Sequence, residues 1–97
     1  MLDYRLTPHA EERMHQRCTH DEDIAIALWL GEASHSYGDV VYTLTDRCLR
    51  GTRWERKADR LRGLAVVLTD DGWVRTVMWN DRVRHRAGVL RRGQVAA

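Results

Sequence analysis

The stretch LAVVLTDDGWVRTVMW, residues 64–79, decides the fold of this chain. Residues 64–69 are almost entirely leucine, alanine and valine, and residues 73–79 continue with tryptophan, valine, threonine and methionine. Between them lies Asp70-Asp71-Gly72, whose composition is typical of a tight turn. The sequence therefore predicts a β-hairpin, with residues 64–69 as its strongest strand. We expect strict alternation to place Val74, Thr76 and Met78 on one face of the second strand.

A second hairpin is predicted upstream of the first. Residues 35–37 and residues 40–45 flank Gly38-Asp39, which has the composition of a hairpin turn. The next segment, residues 46–60, is rich in arginine and shows no clear period, so it is predicted to be a loop. The two hairpins together supply four antiparallel strands.

Two helices are predicted ahead of the sheet. Thr7-Pro8 is typical of an N-cap followed by proline at the first helical position, and the first helix runs to about Cys18. Thr19 and Glu22 have the spacing of a capping box for a second helix at about residues 20–30, with Gly31 as its stop. The predicted fold class is α+β, with two N-terminal helices packed on a four-stranded antiparallel sheet.

Composition predicts one small domain over residues 1–80 and a basic tail over residues 81–97, mobile or ordered only by a partner. No apolar run approaches the roughly 18 residues of a membrane span, and Met1 is not followed by a secretory signal.

Cys18 and Cys48 are too few for a disulfide scaffold. Two free thiols in the cytoplasm are the default expectation, and a Cys18–Cys48 bridge is the alternative.

Charge is distributed unevenly along the chain. Residues 1–46 hold three arginines and nine carboxylates, a net charge of −6, whereas residues 47–97 hold twelve arginines and one lysine against five carboxylates, a net charge of +8. This asymmetry favours an anionic partner for the second half, either nucleic acid or an acidic protein. A codon bias toward arginine is the alternative explanation for the scarcity of lysine.

A stripe of cationic residues runs along the first predicted helix. His9, Arg13 and Arg17 are spaced four residues apart, so a helix places them on one face. Like charges at this spacing repel one another, and a phosphate against the face would relieve the repulsion. The alternative is an ordinary solvated face, with the two arginines paired to acids such as Glu12 or Asp21.

These motifs resemble the domain-of-unknown-function family 4258, over about residues 7–80. The matching segments are His9-Ala10-x-x-Arg13-Met14-x-x-Arg17, RGLAVVL at residues 62–68, Asp71-Gly72, and Arg75-Thr76-Val77 with Asn80 beyond. That family is grouped with the barnase, EndoU, colicin and RelE-like ribonucleases, the BECR fold. The chain departs from the family in the arginine-rich segment 46–60, in the basic tail and at Cys18, where a glycine is frequent.

The resemblance implies a toxin of a toxin–antitoxin system or an effector that cleaves RNA, and the positions that match the family's polar residues are His9, Arg13, Arg17 and Thr76, the expected catalytic residues. Because RNA carries its own nucleophile, we expect a metal-independent endoribonuclease that needs no cofactor and acts in the cytoplasm. His35 and Tyr37 are the candidates for the general acid. The expected partners are RNA, free or on the ribosome, and an acidic antitoxin or immunity protein, with no membrane. The residues expected to bind RNA are Arg47, Arg50, Arg53, Trp54, Arg62, Arg82 and Arg84.

Other interpretations stay open at this point. The chain can instead be a catalytically inactive module that binds RNA or an acidic protein through its arginine-rich second half. Thr76 can be an ordinary strand residue, since β-branched residues favour strands. Trp54 is expected to stack on RNA bases, whereas Trp29 is expected in the core. A zinc site at His15, Cys18 and His20 is disfavoured, because no second ligand cluster completes it.

Overall fold

The hairpin at residues 64–79 forms as predicted and lies within a five-stranded sheet. A computed structural model describes residues 4–83 of the chain. Its strands and helices are β1 (Arg5–Leu6), α1 (Pro8–Gln16), α2 (Asp21–Leu30), β2 (Glu32–Ser36), β3 (Asp39–Thr43), α3 (Asp46–Leu49), α4 (Ala58–Leu61), β4 (Leu64–Leu68) and β5 (Trp73–Trp79), with a 3-10 turn at Glu55–Lys57 before α4. The fold class is therefore α+β, and most of the predicted tail, from residue 84 on, lies outside the described residues.

The sheet has the strand order β1-β5-β4-β3-β2 and is mixed, which corrects the prediction of four antiparallel strands. The additional strand, β1, pairs with β5 in parallel. Two backbone hydrogen bonds hold β1 against β5. Arg5 N donates to the carbonyl oxygen of Gly72 at 3.0 Å, and Thr7 N donates to the carbonyl oxygen of Val74 at 3.1 Å. A strand of two residues is too short for the alternation by which strands are predicted from sequence.

A β-bulge in β5 changes which residues face the helices. Val67 of β4 pairs with Thr76, but the next residue, Leu68, pairs with Val74, so Arg75 is the extra residue. Val74 and Val77 consequently both lie in the core at 0% and 1% exposure, which strict alternation does not allow. The prediction that Val74 and Thr76 share a face is therefore wrong.

The core lies between the helices and the face of the sheet that carries Val74 and Val77. Its members are buried apolar side chains from α1, α2, β4, β5 and the segments between them, namely Ala10, Met14, Ile24, Ile26, Ala27, Leu28, Leu44, Leu49, Leu61, Leu64, Val66, Val74 and Val77. Helix α1 lies against β5, and α2 lies against β4 and β3. Helix α1 therefore presents Ala10 and Met14 to the sheet, and its cationic stripe flanks this buried face.

The two long helices begin and end through local hydrogen bonds. Thr7 Oγ1 accepts from Ala10 N at 3.0 Å, as the Thr7-Pro8 pair predicts. Helix α2, in contrast, starts one residue later than predicted: its N-cap is His20, whose backbone N–H donates to Asp23 Oδ2 at 3.0 Å. Thr19 is instead buried, and its hydroxyl donates to the carbonyl of Met14 at 3.4 Å.

Helix α1 ends in a Schellman motif with a cysteine in the left-handed position. Thr19 N donates to the carbonyl of Met14 at 3.0 Å, and Cys18 N donates to that of His15 at 3.4 Å. Cys18 has φ 54, a conformation that glycine adopts without strain and other residues do not.

Residues 46–60 are not the loop that the sequence predicts. They hold α3, the 3-10 turn and most of α4, each four residues or fewer in length. Thr45 caps α3 by accepting from Cys48 N at 3.3 Å, and Thr52 Oγ1 donates to the carbonyl of Leu49 at 2.7 Å. Single helical turns are too short to show a helical period, so the sequence pattern misses them.

Two further expectations concern the cysteines and the membrane. Cys18 is an exposed free thiol and Cys48 a half-buried one, so the structure has no Cys18–Cys48 bridge. Within residues 4–83, every helix is too short or too polar to cross a membrane.

Candidate nucleic-acid interface

His9 and Arg13 lie on one face of α1, as the spacing predicts, and Arg17 is the C-cap residue just past the end of the helix. Arg13 Nε donates to His9 Nε2 at 3.5 Å, and Arg13 Nη1 donates to Gln16 Oε1 at 3.3 Å. His9 Nε2 is the acceptor in the first of these contacts. His9 is exposed, whereas Arg13 and Arg17 are half-buried. The structure therefore places an imidazole nitrogen beside a guanidinium at an open surface.

Arg17 has a buried donor without a partner. Its Nε is removed from solvent and makes no hydrogen bond within the described residues. This buried donor costs stability and cannot itself contact a ligand from solvent, so only the remaining, half-buried part of the Arg17 guanidinium is open to an anion. The six ion pairs between residues 4 and 83 include neither Arg13 nor Arg17, so the pairing with Glu12 or Asp21 does not occur.

Thr76 is not brought to this stripe. It pairs with Val67, whereas its neighbour Val77 pairs with Val66 in the core beneath the helices. Alternation beyond the bulge therefore places Thr76 on the opposite face of the sheet from α1. Its hydroxyl lies 3.5 Å from the carbonyl oxygen of Val77. Arg75 lies on that far face as well, where its Nη1 is 3.2 Å from Asp39 Oδ2.

Several arginines of the second half are engaged by acids of the fold. Arg62, expected to bind RNA, is 7% exposed and donates to Asp46 Oδ1 at 2.8 Å and Asp59 Oδ1 at 3.0 Å. Burial lowers the pKa of Arg62, but the two carboxylates outweigh it and leave that pKa raised. Arg47 is exposed and pairs with Glu32, whose hydrogen bond raises the pKa of Arg47.

Other arginines of the second half remain open to a ligand. Arg50, Arg53, Arg56 and Arg82 are exposed, and none of the ion pairs described for residues 4–83 involves them. The guanidinium carbon of Arg53 lies 4.4 Å from the centre of the Trp54 ring. Arg84, the last residue of the predicted RNA-binding set, lies outside the described residues.

The burial of Trp29 and Trp54 is the reverse of what the sequence predicts. Trp29 is 66% exposed at the end of α2, whereas Trp54 is half-buried and packs against the core. Their ring centres are 5.6 Å apart at 73°, an edge-to-face contact. The sequence signal for Trp29 misleads, because α2 is apolar on most sides and a helical period cannot distinguish its exposed position.

A cleft of about 330 Å³ lies on another side of α1 and was not predicted. Its lining residues are Leu6, Glu11, Met14, His15, Thr19, His20 and Asp21. It contains two of the three candidate zinc ligands, His15 and His20. Among residues 4–83, however, no group of three or more histidines, cysteines or acids is placed to hold a metal ion. The weak general-acid candidates, His35 and Tyr37, are exposed on β2 and in the turn after it.

No protein-family model, curated protein or solved structure matches the chain. Assignment to family 4258 and to the BECR fold stays a prediction from the motifs.

Proposed function

We propose that this protein is a metal-independent endoribonuclease of the BECR type that binds an RNA phosphate at the α1 stripe. The observation that supports the proposal best is the contact of Arg13 Nε with His9 Nε2 at 3.5 Å. This contact brings an imidazole nitrogen and a guanidinium together at one exposed surface, as the proposal requires. The absence of Arg13 and Arg17 from the ion pairs described for residues 4–83 supports an anionic ligand at the same stripe.

The chemistry follows from what RNA carries itself. When a phosphate binds Arg13, the Arg13 Nε–H turns from His9 Nε2 to a phosphate oxygen and frees the Nε2 lone pair. The 2′-hydroxyl of a ribose then transfers its proton to His9 Nε2, and the oxygen attacks the adjacent phosphorus. The bond from phosphorus to the 5′-oxygen breaks, leaving a cyclic phosphate on one fragment. A histidine suits the base role because its ordinary pKa lies near neutrality. Arg13 and Arg17 hold the phosphate and stabilise negative charge on its non-bridging oxygens.

Thr76 has no part in this proposal, because it lies on the far face of the sheet. No second proton carrier is assigned at the stripe, so water protonates the leaving 5′-oxygen. Most of the rate enhancement then comes from positioning and charge stabilisation, and the base adds about 10²–10⁴-fold.

The test is cleavage of a labelled RNA in the presence of EDTA, by the wild type and by His9→Ala, Arg13→Ala and Thr76→Val. We expect a 2′,3′-cyclic phosphate product, a loss of activity of about 10²-fold or more in the first two variants, and no change in Thr76→Val. Cleavage that survives both His9→Ala and Arg13→Ala, or that EDTA abolishes, would exclude this site and mechanism.

A second candidate function is a module that binds RNA or an acidic protein without cleaving RNA. It is supported by Arg50, Arg53 and Arg56, which are exposed and have no carboxylate partner among the described residues. Tight, salt-sensitive RNA binding without cleavage would favour this candidate.

The biological setting belongs to the proposal as well. As a toxin of a toxin–antitoxin system, acting on free or ribosome-bound RNA, the protein requires an inhibitor, and an acidic antitoxin or immunity protein would match the exposed arginines. The two free thiols support a reducing cytoplasm as its compartment.

A further inference from the structure

The end of α2 and the segment that follows α3 form an exposed surface of aromatic rings and guanidinium groups. We define the tryptophan–arginine surface as Trp29, Arg50, Arg53, Trp54 and Arg56. Trp29 is 66% exposed, although the two residues before it, Ala27 and Leu28, are buried in the core. A large ring left in solvent on a well-anchored helix is a site where a ligand would bury apolar area.

The orientation of Trp29 is determined by its neighbour. The Trp29 and Trp54 rings meet edge to face, with centres 5.6 Å apart at 73°. Trp54 is itself held by its backbone N–H, which donates to Thr52 Oγ1 at 3.3 Å, and by packing against the core. Because this contact already orders the Trp29 ring, a ligand can stack on the exposed part of the ring with little further loss of side-chain entropy.

The charges around this surface favour an anion. The one acid within residues 50–57, Glu55, accepts a hydrogen bond from Gly51 N at 3.4 Å. The acid that follows α2 in the chain, Glu32, is engaged by Arg47. Arg50, Arg53 and Arg56 are left without a carboxylate partner in the described part of the chain.

We propose that the tryptophan–arginine surface binds single-stranded RNA, with an unpaired base stacked on Trp29 and the flanking phosphates bound by Arg50, Arg53 and Arg56. Every base offers a π face, so aromatic stacking is tolerant of sequence, and arginine binds phosphate while it stacks on rings. An acidic peptide would satisfy the arginines but would leave the Trp29 face in solvent. The inference shares its ligand with the proposed function but rests on different residues.

The experiment uses short labelled oligouridylate with 2′-O-methyl groups, which lacks the nucleophile and cannot be cleaved. Binding to the full chain is measured by fluorescence anisotropy. We expect Trp29→Ala to weaken binding about 5-fold to 100-fold, the range for losing one stacked base, and Trp29→Phe to restore most of it. Tyr37→Asn is the matched control, because it removes an exposed ring in the turn between β2 and β3, outside the tryptophan–arginine surface, and should leave binding unchanged.

An abasic strand of the same length separates base from phosphate contacts. Wild type and Trp29→Ala should bind it equally, and Arg53→Ala should weaken its binding. Equal affinity of the wild type and Trp29→Ala for the oligouridylate, or no binding of it at all, would overturn the inference. An oligoglutamate peptide that binds as tightly as the RNA, and whose binding is lost in Arg53→Ala but not in Trp29→Ala, would replace RNA with an acidic protein as the ligand.

The same variants distinguish failure of this inference from failure of the proposed ribonuclease. His9→Ala should lower the cleavage of unmodified RNA by about 10²-fold or more, whereas Trp29→Ala should still weaken the binding of the 2′-O-methyl strand in the His9→Ala background. Absence of cleavage together with Trp29-dependent binding would reject the ribonuclease alone. Cleavage that depends on His9 together with Trp29-independent binding would reject this surface alone.

Discussion

The guanidinium of Arg60 binds the buried carboxylate of Asp23 with two hydrogen bonds, from Nη1 to Oδ2 at 3.0 Å and from Nη2 to Oδ1 at 2.9 Å. Asp23 is only 2% exposed, and its Oδ2 also accepts the backbone N–H of His20, the N-cap of α2. One carboxylate therefore caps α2 and fastens it to α4. The hydrogen bond to Asp23 raises the pKa of Arg60, so the Arg60 guanidinium keeps its charge.

Removing the Arg60 side chain should destabilise the fold. Arg60→Ala leaves the Asp23 charge buried with only a backbone donor, and breaking a fully buried pair costs about 3–5 kcal/mol. Because the Arg60 side chain is 47% exposed, solvent screens part of the effect, and we expect a loss of about 2 kcal/mol in urea unfolding. Lys57→Ala is the control: its 3.9 Å pair with Glu22 is exposed, and its loss should change stability by less than about 0.5 kcal/mol. Equal losses in the two variants would contradict this account.

Replacing Cys18 by glycine should stabilise the protein. The left-handed conformation at φ 54 costs a non-glycine residue about 1 kcal/mol, which glycine avoids. For a domain of this size that corresponds to a rise of about 4–8 °C in Tm, measured by circular dichroism. Cys18→Ala keeps the strain while removing the thiol, so it should leave Tm nearly unchanged. A comparable rise in both variants would assign the effect to the thiol instead.

Gly31 and Gly51 should respond differently to alanine. A Cβ on Gly31 would lie 2.5 Å from the carbonyl oxygen of Ala27, which accepts the Gly31 N–H at 2.8 Å. The end of α2 must then shift, and we expect a loss of about 2–3 kcal/mol. A Cβ on Gly51 meets no atom within 4 Å, so only its φ of +78 opposes the change, at a cost of about 1 kcal/mol. Chemical denaturation of both variants measures the difference, and the reverse order would be inconsistent with the close approach at Gly31.

The salt dependence of RNA binding should identify Arg17 as a phosphate contact. Each phosphate neutralised on a single strand contributes a slope of about −0.7 to the dependence of log K on log salt concentration. Arg17→Ala should therefore make the slope shallower by about 0.7. Arg75→Ala is the matched control, because Arg75 lies on the far face of the sheet and pairs with Asp39. An unchanged slope in Arg17→Ala, or an equal change in the control, would remove Arg17 from the interface.

Much of the fold could be predicted because the strongest local signals agree with the tertiary structure. The Asp71-Gly72 turn lies between β4 and β5 with Gly72 at φ 89, and Thr7-Pro8 begins α1. What could not be predicted depends on a partner distant in the chain. Strand β1 is two residues long and is defined by its pairing with the edge of β5. The bulge at Arg75 is defined by the way β5 pairs with β4, which is a long-range property.

The candidate site was predictable only in part for the same reason. The spacing of His9, Arg13 and Arg17 is a local property of one helix, and the structure keeps them together. Adding Thr76 required knowing which face of β5 meets α1, and one extra residue in the strand reverses that choice. The burial of Arg62 and the exposure of Trp29 likewise depend on how distant segments pack, which no sequence period encodes.

Three ion pairs connect residues that are made early in synthesis to residues that are made late. The acids Asp23, Glu22 and Glu32 find their cations at Arg60, Lys57 and Arg47, so each of these bonds joins the first half of the chain to the second. A chain that ends at residue 46 lacks these cations and also lacks β4 and β5, against which α2 and α1 pack. We therefore expect that fragment to stay unfolded in solution.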